Sequence, residues 1–311
     1  NTGVISLSPA IKILPVKIFT DNGAGTRVPS QVAKAISYAW RNGAEVISCS
    51  WGYGSTDPNF LPVISAAIDS GATYGRSGKG SPVIFAAGNA AGAVTFPANR
   101  PLCMAVAALQ SNDTRWSYSC YGSALDISAP SGNVNLQGDV WTLDQMGSAG
   151  YNPNRTGTTW NCGSPNDQDY DCKFGGTSAA CPLVAGVAAA IVSKDRNMTR
   201  SQIYTCLDSS AVKLGATQPN TDYGWGRVDA FRAALSLSHG DLNQDGKIDI
   251  SDLSGMISYL GGVGYVPFPS PALADWNCSD TIDLSDLSAM VAYLTASGSG
   301  PVKPCFKYSY Q

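Results

Sequence analysis

The sequence predicts an α/β fold, a parallel sheet flanked by helices, with a small all-α repeat module at its C-terminus. Three observations carry this expectation. Short β-branched runs alternate with stretches of helical apolar spacing, the pattern of a parallel sheet covered on both faces. Apolar residues make up 44% of the 311, enough for a sizeable core, while 33 glycines and 18 prolines against 14% charged residues describe many tight turns. Charge is divided unevenly: residues 1–238 carry 17 Lys and Arg against 15 Asp and Glu, whereas residues 239–311 carry 3 against 8, all eight being aspartate. The chain therefore reads as two modules, 1–238 and 239–311. Its formal charge of −3 leaves no basic excess to hold a phosphate backbone, so nucleic acid is not an expected partner. No apolar run approaches the roughly 18 residues expected of a membrane span.

Residues 11–19 (IKILPVKIF) read as a strand, 29–42 as a helix and 45–51 as a second strand, together a βαβ unit. A helix near 60–70, a strand at 82–89 (PVIFAAGN) and another at 103–109 continue the alternation. In such sheets binding sites gather beyond the carboxyl ends of the strands, which singles out residues 50–54 and 88–92. From about 131 to 175 periodicity is lost, predicting a long irregular surface insertion. The segment from Thr177 to Val192 is apolar all round, as in a helix that runs through a core, with Pro182 expected in its first turn. Phe231 to Leu235 ends the first module.

Nine cysteines without paired CxxC spacing indicate a secreted, partly disulfide-bonded protein in preference to a zinc protein, and the odd count leaves at least one thiol unpaired. Cys162 and Cys172 flank a polar stretch and suit a loop-closing bridge. Cys181, inside an apolar run, suits a buried free thiol. The chain opens on Asn1-Thr2-Gly3 with neither the charged region nor the apolar core of a targeting segment.

Ser178, in Gly175-Gly176-Thr177-Ser178, could simply cap a helix. Its surroundings favour chemistry. The glycines let another backbone approach, and a helix N-terminus favours the negative charge that develops when a hydroxyl attacks a carbonyl. Asn89, after Ala86-Ala87-Gly88 at a strand end, offers an amide that can donate to such an oxyanion.

Together these residues resemble the subtilisin-like serine proteases. Gly176-Thr177-Ser178-Ala179-Ala180-Cys181-Pro182-Leu183-Val184-Ala185-Gly186 resembles the family's nucleophile signature, and Phe85-Ala86-Ala87-Gly88-Asn89 its oxyanion-asparagine signature. Ser48-Cys49-Ser50-Trp51-Gly52 is similar to the family's substrate-binding strand, and Tyr223-Gly224-Trp225-Gly226-Arg227-Val228-Asp229-Ala230 to its closing segment. The resemblance runs in order through about residue 236. It implies a serine endopeptidase acting on protein or peptide substrates, with Ser178 attacking the carbonyl, Asn89 stabilising the oxyanion, and Ser50, Trp51, Gly52 and Gly88 lining the substrate path. Ala90, Ala91 and Thr95 fall where the resemblance places the wall and floor of the specificity pocket, predicting an uncharged one. Leu183 stands where the family commonly has histidine. A larger departure concerns the triad, which the family orders Asp, His, Ser: the one histidine here, His239, follows Ser178. Residues 1–14 resemble the stretch just after the family's His-Gly-Thr motif, so the sequence is expected to begin after the first part of the domain.

The acidic tail contains an internal repeat. GDLNQDGKIDISDLSGMISYL from Gly240 and ADWNCSDTIDLSDLSAMVAYL from Ala274 align at an offset of 34 residues. Asp241, Asn243, Asp245, the Lys247 carbonyl, Asp249 and Asp252 fall at positions 1, 3, 5, 7, 9 and 12 of the first copy, a spacing that wraps oxygen ligands around calcium, with Gly246 at the sharp turn. Asp275, Asn277, Ser279, the Thr281 carbonyl, Asp283 and Asp286 are their counterparts. In the second copy Ser279 replaces a carboxylate and Asp280 the turn glycine, so weaker binding is expected there. A calcium loop followed by a short helix, twice over, resembles the dockerin modules of secreted bacterial enzymes. That implies calcium as cofactor and a cohesin-like partner. The reading is a secreted, extracellular serine endopeptidase with a dockerin-like tail; its competitor is a protease-like scaffold that has lost catalysis and acts through the tail.

Overall fold

A computed structural model describes residues 10–19, 28–133, 140–147, 150, 169–236, 240–243, 245, 247–262, 271–277, 279 and 281–295. These fall into two units, Asn1–Tyr204 with Val212–Val228, and Thr205–Ala211 with Asp229–Gln311.

The first unit is built on a four-stranded parallel sheet in the order β1 (Ile47–Cys49), β2 (Val83–Ala86), β3 (Met104–Leu109), β4 (Ile127–Pro130). Every residue of β2 and β3 is buried, as parallel strands covered on both faces require. On one face, Val83, Phe85, Ala105 and Ala107 share a core with helices α1 (Pro29–Arg41) and α2 (Pro62–Gly78). α1 opens on proline, whose missing N–H has no intrahelical acceptor to lose, and buries the stripe Val32, Ala33, Ile36 and Ala39. The other face is covered by α3 (Thr177–Lys194), which touches all four strands. α4 (Arg200–Ser210) follows.

Four expectations need correction. Residues 11–19 form no strand: no strand among the described residues pairs with them, and Ile13 is 88% exposed while Val16 packs on the core. The 131–175 insertion is not wholly irregular, since β5 (Val140–Leu143) and β6 (Tyr170–Phe174) pair as an antiparallel ribbon. Pro182 lies beyond the first turn of α3, inside the helix. Finally, α3 has 18 residues and a mean hydropathy of 1.4, long and apolar enough to cross a membrane by length and composition. It is 56% buried, its apolar faces packed on the sheet, which is why a core helix passes the same test.

Cysteine placement follows the sequence where it can be checked. Cys181 is free and buried, as are Cys49, Cys103, Cys120 and Cys206, and Cys172 is disulfide-bonded. Cys162 lies outside the described residues.

One partly buried acid makes stability depend on pH. Asp126 leads into β4 and accepts the Ala105 N–H at 2.6 Å, yet burial outweighs that bond and raises its carboxyl to about pH 6. The folded protein then holds this proton more tightly than the unfolded chain does. The stabilisation is fully present below the ordinary carboxylate pKa near 4 and is lost as pH rises through about 6. Asp126→Asn, which keeps an acceptor for Ala105, should gain about 2–3 kcal/mol over the parent between pH 4 and 7. Unfolding midpoints measured across that range would refute this if the two proteins kept a constant difference.

In the second unit, helices α5 (Ala230–Ser236), α6 (Ile250–Leu260) and α7 (Leu284–Leu294) appear, and α6 packs on α7. Their core is Leu242, Met256, Leu273, Ala274, Trp276 and Met290. Each long helix starts with a capping box, Asp249 with Asp252 and Asp283 with Asp286, so the repeat seen in sequence is a repeat of helix-start chemistry.

Candidate functional site

Ser178 is the second residue of α3, in the turn where backbone N–H groups lack intrahelical acceptors. Gly176 precedes the helix at φ 75°, a conformation natural to glycine, and a Cβ there would stand 3.1 Å from Asn89 Nδ2. Its carbonyl accepts from Ser131 Oγ at 2.6 Å and its N–H donates to the Gly132 carbonyl at 3.0 Å.

Thr177, almost wholly buried, joins α3 to the loop after β2. Its N–H and hydroxyl donate to Asn89 Oδ1 at 2.9 and 2.8 Å, and the hydroxyl accepts from Gly88 N at 3.2 Å. A backbone N–H can only donate, so the atom it meets must be the carboxamide oxygen. Asn89 is thereby held through its oxygen, and its NH₂ group makes no hydrogen bond among the described residues. Gly88, at φ 109°, lets this loop lie against Cys120, whose sulfur would be 3.1 Å from an added Cβ.

Pro182 has a consequence here. Lacking an N–H, it deprives the Ser178 carbonyl, four residues back, of its helical donor. Ser50 Oγ supplies the replacement at 2.8 Å, fastening the end of β1 to the Ser178 turn. The Ser178 hydroxyl itself makes no hydrogen bond among the described residues. Trp51 packs edge-on against Phe85, ring centroids 5.2 Å apart, and Gly52 is exposed beyond it, where an added Cβ would stand 3.3 Å from the Phe96 carbonyl. The structure thus ties together Ser178, Asn89, Gly88 and Ser50, with Trp51 and Gly52 continuing from the same strand end. His239 lies outside the described residues. Sequence reasoning missed Thr177, Ser131 and Gly132, which bond Asn89 and Gly176 across the chain; Pro182 signals only the unmet carbonyl at Ser178 that Ser50 fills.

In the second unit the two loops present oxygen donors in matching positions. Asp241 and Asn243 both accept from Asp245 N through Oδ1, at 3.1 and 2.9 Å, and Asp245 accepts from Lys247 N at 3.0 Å. The Ser251 hydroxyl, with the Ser251 N–H, holds Asp249 below the usual carboxylate range. Asp252 is completely buried and accepts from Leu242 N, Asn243 N and Asp249 N. In the second loop, Asp275 and Asn277 accept from Ser279 N, Ser279 donates to the Thr281 carbonyl, Ser285 holds Asp283 low, and buried Asp286 accepts from Asn277 N and Asp283 N. Gly246 and Asp280 lie outside the described residues.

These donors fit a hard cation. Asp241, Asp252, Asp275 and Asp286 are each at most 5% exposed, a burial that carboxylates tolerate when positive charge compensates them. Among the described residues no three acidic, histidine or cysteine side chains gather closely enough to hold a metal alone. The fit therefore rests on the mixed set of carboxylate, amide and carbonyl oxygens, which is calcium chemistry.

The sequence matches the Subtilase family over residues 1–226 and the Dockerin type I domain over residues 239–295. It is 33% identical over 256 residues to a calcium-dependent protease of Trichormus variabilis, covering 75% of this chain and 37% of that protein. To thermitase of Thermoactinomyces vulgaris it is 33% identical over 234 residues, covering 75% of this chain and 68% of the relative. Among solved structures, a protease from Pseudoalteromonas arctica is similar at 28% identity and a TM-score of 0.56, over 74% of this chain and 64% of the other. A lanthipeptide protease shares the fold at 24% identity and a TM-score of 0.59, over 73% and 71% of the two chains.

Proposed function

Because the chain belongs to the subtilase family and carries a dockerin type I module over residues 239–295, we propose that it acts as a secreted serine endopeptidase anchored through its calcium-binding module. The observation that carries this reading is the Thr177 clamp on Asn89, which holds a carboxamide donor against the helix turn that bears Ser178. In the reaction, Ser178 Oγ attacks the peptide carbonyl to form an acyl-enzyme. The developing oxyanion is met by Asn89 Nδ2 and the first-turn N–H groups of α3. Because Asn89 is fixed through its oxygen, its donor needs no reorganisation as charge develops.

The substrate lies extended along Ser50-Trp51-Gly52, and the uncharged residues Ala90, Ala91 and Thr95 favour neutral, mostly apolar side chains before the scissile bond. Calcium is held by the paired loops of residues 239–311, and when bound it supplies the charge that compensates their buried carboxylates. Exposed apolar residues recur at equivalent places in the two helices, Ile250 and Ile257 on α6, Leu284 and Val291 on α7, which supports a cohesin-like protein partner.

The one histidine, His239, follows Ser178 in sequence, so the chain by itself offers Ser178 no matched base. We accordingly infer that the 311-residue chain is inactive alone and that the full-length protein is active. Fluorophosphonate labelling tests both statements. Strong labelling of Ser178 in the chain alone would show that a base is already present, and no labelling in the full-length protein would favour the scaffold reading.

A further inference from the structure

We propose that Tyr118 is a positioning residue for proteolysis, braced by Trp116, and that it fixes the Asn89 loop and the start of α3 relative to each other. The proposal rests on the roles of Ser178 and Asn89 given above. Two sets of hydrogen bonds carry it. Toward the Asn89 loop, the Tyr118 carbonyl accepts Ala91 N at 2.8 Å, while Cys120 N and Tyr121 N donate to the Gly88 and Gly92 carbonyls at 2.9 Å each. Ala91 needs such a hold, because it sits at φ 53°, in the left-handed region that alanine disfavours.

Toward α3, the Tyr118 hydroxyl donates to the Gly132 carbonyl and Trp116 Nε1 donates to the Ser131 carbonyl at 3.1 Å. Ser131 and Gly132 are the two residues that grip Gly176, through Ser131 Oγ to the Gly176 carbonyl and Gly176 N to the Gly132 carbonyl. The two rings are stacked at 13°, with centroids 5.7 Å apart, so the indole limits the swing of the phenol. The segment is itself bolted to β3, through Trp116 N to the Ala108 carbonyl and Ala108 N to Ser119 Oγ, both at 3.0 Å.

One short segment thus runs from the rigid sheet to both halves of the site. The Thr177 clamp joins the halves directly, so loss of the Tyr118 hydroxyl leaves the fold in place but lets the Gly176 turn shift. Such a shift acts on groups that matter in the transition state more than on substrate binding, and small misplacements are costly in rate.

In the full-length protein, Tyr118→Phe should lower kcat about 10-fold and leave KM within about twofold. The Gly176 amide should exchange its hydrogen about 10-fold faster, with little change in the unfolding midpoint. Trp116→Phe, which keeps an aromatic stack and removes the indole N–H, should do the same to a smaller degree. Tyr118→Phe combined with Ser131→Ala should cost less than the sum of the two, because both act through Gly176. Unchanged kcat in an active Tyr118→Phe protein would overturn the proposal. If the parent hydrolyses no peptide, the reading of the function fails instead. Gly176 exchange, which needs no turnover, then decides: faster exchange in Tyr118→Phe supports the positioning role, and unchanged exchange overturns it.

Discussion

Ser178→Ala in the full-length protein should lower kcat by at least about 10⁴-fold, because what remains without the nucleophile is only the transition-state binding of its surroundings. Asn89→Ala should cost about 10²–10³-fold in kcat, the loss known for such a donor in a protease of this same family. Thr177→Val should fall between Asn89→Ala and the parent. It removes the hydroxyl at 2.8 Å but leaves the backbone N–H at 2.9 Å on Asn89 Oδ1, so the carboxamide keeps half of its clamp. Steady-state hydrolysis of a neutral peptide anilide ranks the three. An Asn89→Ala protein with the parent's kcat would remove Asn89 from the mechanism, and an active Ser178→Ala protein would remove the mechanism itself.

Chelating calcium should unfold the C-terminal module, since its apolar core is six buried residues while four aspartates are buried beside it. Trp276 reports the event. It is 2% exposed and packs against Tyr293 with ring centroids 5.6 Å apart, so unfolding should shift and quench its emission. Titrating calcium back should give two phases. The first loop fills first because it has a carboxylate, Asp245, where the second has Ser279. Asp241→Ala with Asp245→Ala should abolish the tighter phase, and Asp275→Ala should affect the weaker one. Two equal sites by calorimetry, or no response at millimolar calcium, would overturn the assignment.

What the sequence reveals and what it hides follow from range. α1 is legible because its apolar residues repeat with the helical period, whereas β1, β2, β3 and α3 are legible as short or long apolar runs bounded by turn residues. Ser178 and Asn89 are legible as separate motifs, each at the end of an element. Residues 11–19 mislead because strand propensity is local, whereas a strand exists only with a neighbour, and none of the described strands takes that place. β4 is missed because Ile127–Pro130 carries Ser128 and ends on Pro130, which reads as a break in a strand, and it exists through its pairing with β3. The bond from Ser50 to Ser178 spans 128 residues, and the clamp from Thr177 to Asn89 spans 88. No spacing encodes such pairs; they follow from the order in which the strands are laid down.

The free thiols buried among the described residues, those of Cys49, Cys103, Cys120, Cys181 and Cys206, make unfolding a chemical event as well as a conformational one. In the folded protein, burial pushes the thiols of Cys49, Cys103 and Cys181 up, so they stay protonated and out of reach of oxidants and disulfides. Opening the sheet releases them, returning each to an ordinary thiol that forms thiolate in mildly alkaline solution and attacks any disulfide at hand, including that of Cys172. Chains caught in that exchange cannot rebuild the site around Ser178. Under oxidising, alkaline conditions, the lifetime of the folded protein is therefore a race between refolding and disulfide scrambling, set by how fast the first unit opens.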